Sequence, residues 1–325
     1  MERAREVLCE LVAEHGPSLA ADPRRLRALL NDLCSDETKA IFALTAAAQA
    51  RVPAELSAAQ RATALHVERG ARRLADELGF AEEVARWAAE TWALALGAAR
   101  GNEAGGGAHV ITVCAQGRGA YTSLALALRA APAWSRIEVL PGTYQEPLTI
   151  ERPVEIVAAG RPGEVVVQAE GASCLRLRAE YALVRGLTLS GPTGSAEART
   201  LFGVDVPAGE LYLEDCDVSG AELACVAVHG QAASATLRRC RVRHGRQTGL
   251  YVSLGGAAHV TDCEILEHGG AGVEIGWRGA PTLRRCRING NGTYGIRIFA
   301  GGESQVEECD LTANRMGAWN VEEAE

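Results

Sequence analysis

Leu26, Leu29, Leu30 and Leu33 stand three and four residues apart, the spacing that puts apolar side chains on one face of an α-helix. Asp22 and Pro23 precede them, an N-cap acceptor followed by a proline suited to the first helical position. The same period runs through most of residues 1–97. Ser57 with Gln60 forms a capping-box pattern ahead of "RATALHVERGARRLADELG". A last helix places Val84, Trp87, Ala88, Trp92 and Ala95 on one side and stops at Gly97. Cys9 and Cys34 fall among the leucines and read as small core residues. His15 and His66 lack clustered ligand partners and read as ordinary surface or packing residues. Residues 98–108, "AARGNEAGGGA", have the composition of a flexible linker.

Beyond residue 109 the period shortens. Runs rich in Val, Ile and Leu alternate with Gly, Asn and charged residues, as strands and turns do. "GVDV" at 203, "CVAV" at 225, "GLYV" at 249, "GVEI" at 272 and "GIRI" at 295 recur every 22 to 24 residues. Each is followed by an apolar position (Leu213, Leu237, Val260, Leu283, Val306), a cysteine, and a second apolar position (Val218, Val242, Ile265, Ile288, Leu311). Three short strands per 23 residues predict one turn of a parallel β-solenoid, and parallel crossovers are right-handed. The expected fold is an all-α domain over 1–97, then an all-β right-handed parallel β-helix over 109–325.

The five cysteines Cys216, Cys240, Cys263, Cys286 and Cys309 step by 24, 23, 23 and 23 residues. Such a file stacks one thiol per coil, roughly 4.8 Å apart. Zinc needs four ligands converging on a point, so the file reads as a core ladder and no metal is expected. The flanking charges alternate in sign from coil to coil. Asp215, Arg239, Asp262, Arg285 and Glu308 precede the cysteines, and Asp217, Arg241, Glu264, Arg287 and Asp310 follow them. Each carboxylate is therefore expected to face an arginine in both neighbouring coils, as an ion-pair ladder.

Composition narrows the picture. A net charge of −8 over 325 residues argues against a nucleic-acid partner or an anionic membrane surface. No apolar run is long enough to cross a bilayer, and the acid-bearing N-terminus is no secretory signal, so a cytoplasmic protein with reduced cysteines is expected.

The stretch "GRGAYTSLALALRAAPAWSRIEVLPGTYQEPLTIERPVEIVAAG" resembles the opening of pectin esterases and related β-helix proteins. Residues 109 to about 321 resemble the pectate-lyase-like superfamily in its broad sense. That resemblance implies a helix over about Thr122–Arg129 capping the first coil, with the "PGTYQE" strand starting the solenoid. It also implies an Asn ladder, whose place the cysteines are expected to take. The later repeats are closer to β-helix domains that bind carbohydrate or protein, including an F-box ubiquitin-ligase substrate receptor. "EHGPSLAADPRRLRALLNDLCSDE" and "ARWAAETWALALG" resemble a helical module recurrent in bacterial multidomain proteins, which implies a bacterial source and an adaptor-like role.

No segment after "PGTYQE" resembles the "QDT", "DFIFG" or "GRPW" motifs of a pectin esterase. The regular carboxylates, interleaved with arginine, form neither a calcium-lyase ligand set nor a hydrolase acid cluster. A non-catalytic binding protein with no cofactor is the leading expectation. A carbohydrate-active lyase, hydrolase or esterase with a divergent site stands as the alternative, and a structural scaffold as a third. The outward positions of the Gly-initiated strands run Asp205, Ala227, Tyr251, Glu274, Arg297, Trp319, with His229, Ser253, Trp277 and Phe299 alongside. In a chain with only 5% aromatic residues, Tyr251, Glu274, Trp277, Arg297, Phe299 and Trp319 are the candidate site for a protein or carbohydrate partner. Covering by the protein's own packing is the competing explanation.

Overall fold

The computed structural model describes residues 1–58, 64–97, 109–192 and 201–322. They form two compact units, residues 1–109 and 110–325. In the first, α1 (Glu2–His15), α2 (Pro23–Cys34), α3 (Thr38–Gln49), α4 (Val52–Ala58), α5 (Ala64–Leu78) and α6 (Glu82–Ala95) enclose an apolar core. The Asp22 side chain caps α2 by accepting from Arg25 N at 3.1 Å, with Pro23 in the first turn. The buried stripe of α2 is Leu26, Leu30 and Cys34, whereas Leu33 is exposed, so the apolar face follows an i, i+4, i+8 line. Trp92 of α6 is fully buried and donates its indole N–H to Leu44 O at 3.0 Å. Gly97, at φ 71°, follows the end of α6, where the glycine stop was expected. Ser57 lies inside α4, while its capping partner Gln60 and the linker 98–108 fall outside the described residues.

The second unit is a stack of coils. The first strand, Val110–Val113, is followed by α7 (Leu124–Ala130), which buries Leu124, Ala127 and Leu128 in the solenoid core. "PGTYQE" fixes this junction. Glu146 accepts from Leu124 N at 2.6 Å and from the Ser123 hydroxyl, capping α7, while the buried Tyr144 hydroxyl donates to Leu140 O at 2.9 Å. The later coils, up to Ile298, each contribute one strand to each of three parallel sheets, the first of nine strands, the second of seven and the third of eight. One coil runs Gly209–Glu214 in the first sheet, Asp217–Ser219 in the second and Ala224–His229 in the third. Leu213, Leu237, Val260 and Leu283 share one register in the first sheet; Val218, Val242, Ile265 and Ile288 share one in the second. All eight are fully buried.

The cysteines occupy the corner between the first and second sheets. Each is preceded by a non-glycine residue in the left-handed region: Asp215, Arg239, Asp262, Arg285 and Glu308, with φ from 50° to 55°. Cys216 to Cys286 are buried and Cys309 is half-buried. Each thiol donates to the carbonyl two residues earlier, as Cys263 does to Thr261 O at 3.2 Å. The Cys263 sulfur also accepts from Cys240 N at 3.3 Å, and Cys309 accepts likewise from Cys286 N. Burial, reinforced by the neighbouring thiols, pushes the Cys240 thiol well above its ordinary pKa. The ladder therefore joins coils through sulfur as well as through the sheets.

A second ladder stands at the next corner. Gly245, His268, Asn291 and Asn314 occupy equivalent positions. Asn314 Oδ1 accepts from Asn291 N at 3.1 Å, and its Nδ2 donates to Ile288 O at 2.7 Å. The cysteines thus do not take the place of the Asn file; the two stand at successive corners. His268 copies the asparagine pattern: Nδ1 accepts from Gly245 N at 3.0 Å and Nε2 meets Val242 O at 3.0 Å. His244, one residue before this file, is exposed at φ 56° and lies 3.3 Å from Glu267.

Both ladders give testable consequences. Cys263→Ala removes one sulfur and leaves the Cys240 N–H without its acceptor, an expected cost of about 1–2 kcal/mol in urea unfolding. Cys263→Arg places a charge in the stack and should prevent folding. His268 is held neutral to about pH 4, chiefly by burial. Below about pH 6.5 the unfolded chain takes up a proton that the folded chain refuses, so stability falls as pH drops through that window. His268→Asn should match the parent within about 1 kcal/mol at pH 7 and exceed it by roughly 2 kcal/mol at pH 5.

Candidate functional site

Strand register sorts the candidate residues. On the outer face of the third sheet, Arg176, Asp205, Ala227, Tyr251, Glu274, Arg297 and Asn320 form one file. Tyr251, Glu274 and Arg297 are brought together as expected. Trp319 is not among them. It pairs in register with Ile296, a core position, and Asn320 takes the outward place. A count of 23 from Arg297 would have given Asn320; Gly317, mistaken for the glycine that opens each strand, shifted the count to 22.

The upstream part of the file is closed. Ala227 is fully buried, and Asp205 is held by His229 at 2.8 Å and Arg176 at 3.3 Å. Arg297 is also engaged, 3.6 Å from Glu274 and 2.8 Å from Glu322, with its guanidinium 5.6 Å from the Phe299 ring. The parallel file is His229, Ser253, Gly276 and Phe299, with Trp277 one residue beyond it in a turn. A Cβ at Gly276 would stand 2.5 Å from the Phe299 ring, so this ring position goes with the glycine. Phe299 therefore lies back over the preceding coil, half-buried, and meets Trp277 edge-on at 6.1 Å.

The turns after the third sheet carry the most exposed part of the cluster. Gly256, Gly279 and Gly302 each donate N–H to the residue three before, Ser253, Gly276 and Phe299, closing three equivalent four-residue turns. Both central residues of each have positive φ: Leu254 and Gly255 at 54° and 81°, Trp277 and Arg278 at 40° and 62°, Ala300 and Gly301 at 49° and 73°. Such turns favour glycine or asparagine centrally. The turn at 277–278 has neither. It holds a tryptophan and an arginine in left-handed conformation, a strain of roughly 1–2 kcal/mol per residue. Gln231, Leu254, Gly255, Trp277, Arg278 and Ala300 line a groove of about 470 Å³ there. Trp277 is 54% exposed and Leu254 52%. Sequence reasoning missed Leu254, Arg278 and Gln231. The signal was "GWRG" standing where its neighbours read "SLGG" and "FAGG".

A second groove, about 360 Å³, is lined by Asp215, Asp217, Arg239, Arg241 and Arg243 among others. Its carboxylates are spoken for. Arg239 binds Asp215 through two contacts of 2.8 and 3.0 Å, and Arg243 binds Asp217 at 2.7 and 3.1 Å. Asp262 is gripped the same way by Arg285, whose hydrogen bonds hold its carboxyl below the usual range. Glu264 has arginines of both neighbouring coils within 4 Å, Arg241 at 3.7 Å and Arg287 at 2.8 Å, and Asp262 feels Arg239 of the coil before it as well as Arg285. The ladder's closest contacts favour one side, because a bidentate guanidinium turns the arginine towards one coil, while the charge of the other neighbour acts at longer range, as Glu308 does on Arg285. Among the described residues no group of three His, Cys, Asp or Glu is placed to hold a metal ion. On the outer face of the first sheet the sequence reading also missed an aromatic row, Trp134, Tyr181 and Tyr212, with ring centroids 5.8 and 5.5 Å apart.

Residues 202–325 match the family of the right handed beta helix region. The second unit is a right-handed parallel β-helix. Among solved structures, this β-helix is similar to a pectin methylesterase crystallised with a hexasaccharide, at 13% identity and TM-score 0.48, covering 61% of this chain and 78% of that one. A pectate lyase matches at 12% identity and TM-score 0.48, over 61% and 60% of the two chains. The Aspergillus niger pectin methylesterase matches at 14% identity and TM-score 0.46, over 64% and 89%. No curated protein matches the sequence.

The strain at the β-helix turn is measurable. Arg278→Gly should raise stability by about 1 kcal/mol in urea unfolding, since glycine adopts this conformation freely.

Proposed function

We propose that the β-helix is a non-catalytic binding module, engaging a protein or carbohydrate partner at the groove around Trp277, with the helical unit as an adaptor. The observation that carries this reading is the Trp277–Arg278 turn. It keeps a large aromatic and a cation exposed on strained backbone where glycine is available in the equivalent turns. Strain retained at an exposed position is characteristic of sites that bind. The indole face suits a sugar ring or an apolar side chain, and Arg278 and Gln231 supply donors beside it. Tyr251 extends the site upstream, while Arg297, Glu274 and Phe299 support it through their own contacts. Trp319 falls outside it. No disulfide joins the ten cysteines, which suits a reducing compartment, and we place the protein in the cytoplasm.

The alternative, a divergent carbohydrate-active enzyme, needs a carboxyl group free to move a proton. Asp215, Asp217, Asp262 and Glu264 are instead tied to arginines. Incubation with polygalacturonate or alginate should give no turnover; turnover lost in Asp262→Asn would overturn the reading.

Binding is checked with polysaccharide affinity gels and a peptide array, comparing the parent with Trp277→Ala. Loss of retention in the variant at unchanged melting temperature is expected, a drop of about 2 kcal/mol for a central aromatic anchor. Retention unaffected by the substitution would place binding elsewhere.

A further inference from the structure

The coil from Gln305 to Val321 sets out the requirements of a further rung that no described residue meets. Gln305–Glu307 and Gly317–Val321 are the edge strands of the first and third sheets. One coil earlier, Leu283, Cys286, Ile288, Asn291 and Ile296 are all buried. Their counterparts Val306, Cys309, Leu311 and Asn314 are only half-buried, and Trp319, in register with Ile296, is 43% exposed. Met316 and Val321 are more exposed still. An apolar cross-section of the core therefore faces outward, with an indole across it.

The polar requirements are as specific. Cys286 N donates to Cys309 Sγ and Asn291 N to Asn314 Oδ1. The corresponding N–H groups of Cys309 and Asn314 meet no acceptor among the described residues. In the charge file before the cysteines, Arg239 reaches back to Asp215 and Arg285 to Asp262. Glu308 comes next; it acts on Arg285 of the coil before it, but among the described residues no arginine stands within 4 Å of it. In the file after them, Asp310 meets Asn289 and Thr312, while Arg287 goes to Glu264. The edge thus asks for apolar residues at alternate positions, a side-chain acceptor at each corner, and a cation on either side of the first.

We propose that this edge binds a strand-forming segment of a partner protein, laid parallel as the next rung, with arginine or lysine flanking a small residue at the first corner. Strand addition of this kind takes affinity from backbone hydrogen bonds and specificity from side chains. The basic coils of this chain show what fits: both read "TLRRCR", at 236–241 and 282–287. A second copy meeting edge to edge would oppose Glu308 and Asp310 to themselves, which disfavours that occupant. The groove at Trp277 plays no part in this.

The probe is a fluorescent peptide copying residues 280–298, with a control in which its arginines at 284, 285 and 287 are glutamates. Anisotropy with the full chain should show binding of the basic peptide only, weakening about tenfold between roughly 50 and 500 mM salt. A chain carrying Glu308→Lys with Asp310→Lys should prefer the acidic peptide, while Trp319→Ser should weaken both; circular dichroism melts confirm that the variants fold. Binding of both peptides alike, of neither, or without reversal by the lysine variant would overturn the proposal. So would sedimentation velocity showing a dimer of the parent that Trp319→Ser dissolves, which would assign the edge to a second copy.

Discussion

Each coil of the solenoid lies on a near-copy of itself about 4.8 Å away, so every residue must be compatible with its own equivalent above and below. This self-stacking constraint governs which residues the repeat can hold. Apolar residues satisfy it without further arrangement. A buried polar residue satisfies it only if it can donate to one side and accept from the other. A thiol does so by donating to a carbonyl while accepting the N–H of the previous rung, and asparagine does so with its two amide ends. Like charges fail the test, and the alternation of Asp215, Arg239, Asp262, Arg285 and Glu308 is the consequence.

His268 shows how tight the constraint is. A neutral imidazole presents one acceptor and one donor, the pattern of an asparagine side chain, and it fits the file between Gly245 and Asn291. A protonated ring has two donors. One of them would point at the Gly245 N–H, so geometry adds to burial in keeping the ring neutral.

Much of this was legible in the sequence because self-stacking writes itself as a period. The 23-residue step located the strands, the thiol ladder and the sign of each flanking charge. The period fixed position along the chain better than direction in space. Trp319 was misplaced by one residue, and in a strand one residue exchanges inside for outside. The candidate site was less legible for a related reason. Tyr251, Glu274 and Arg297 are in register and were found together, but nothing in the sequence shows that Ala227 is covered or that Arg297 is taken by Glu322. Leu254 and Arg278 lie in turns, where sequence varies most and periodicity gives no address.

That freedom of the turns bears on where function can sit. The corners between first and second, and second and third sheets carry ladders, so a new side chain there must suit both neighbouring coils. The turns after the third sheet carry no ladder. They vary from "SLGG" to "GWRG" to "FAGG" while keeping the same closing hydrogen bond. A tryptophan can enter one of them without any change in the coils on either side, at the cost only of its own left-handed backbone. A solenoid held together by self-similar rungs can thus acquire a distinctive surface where the rungs are interrupted, in these turns or on the open edge of a coil.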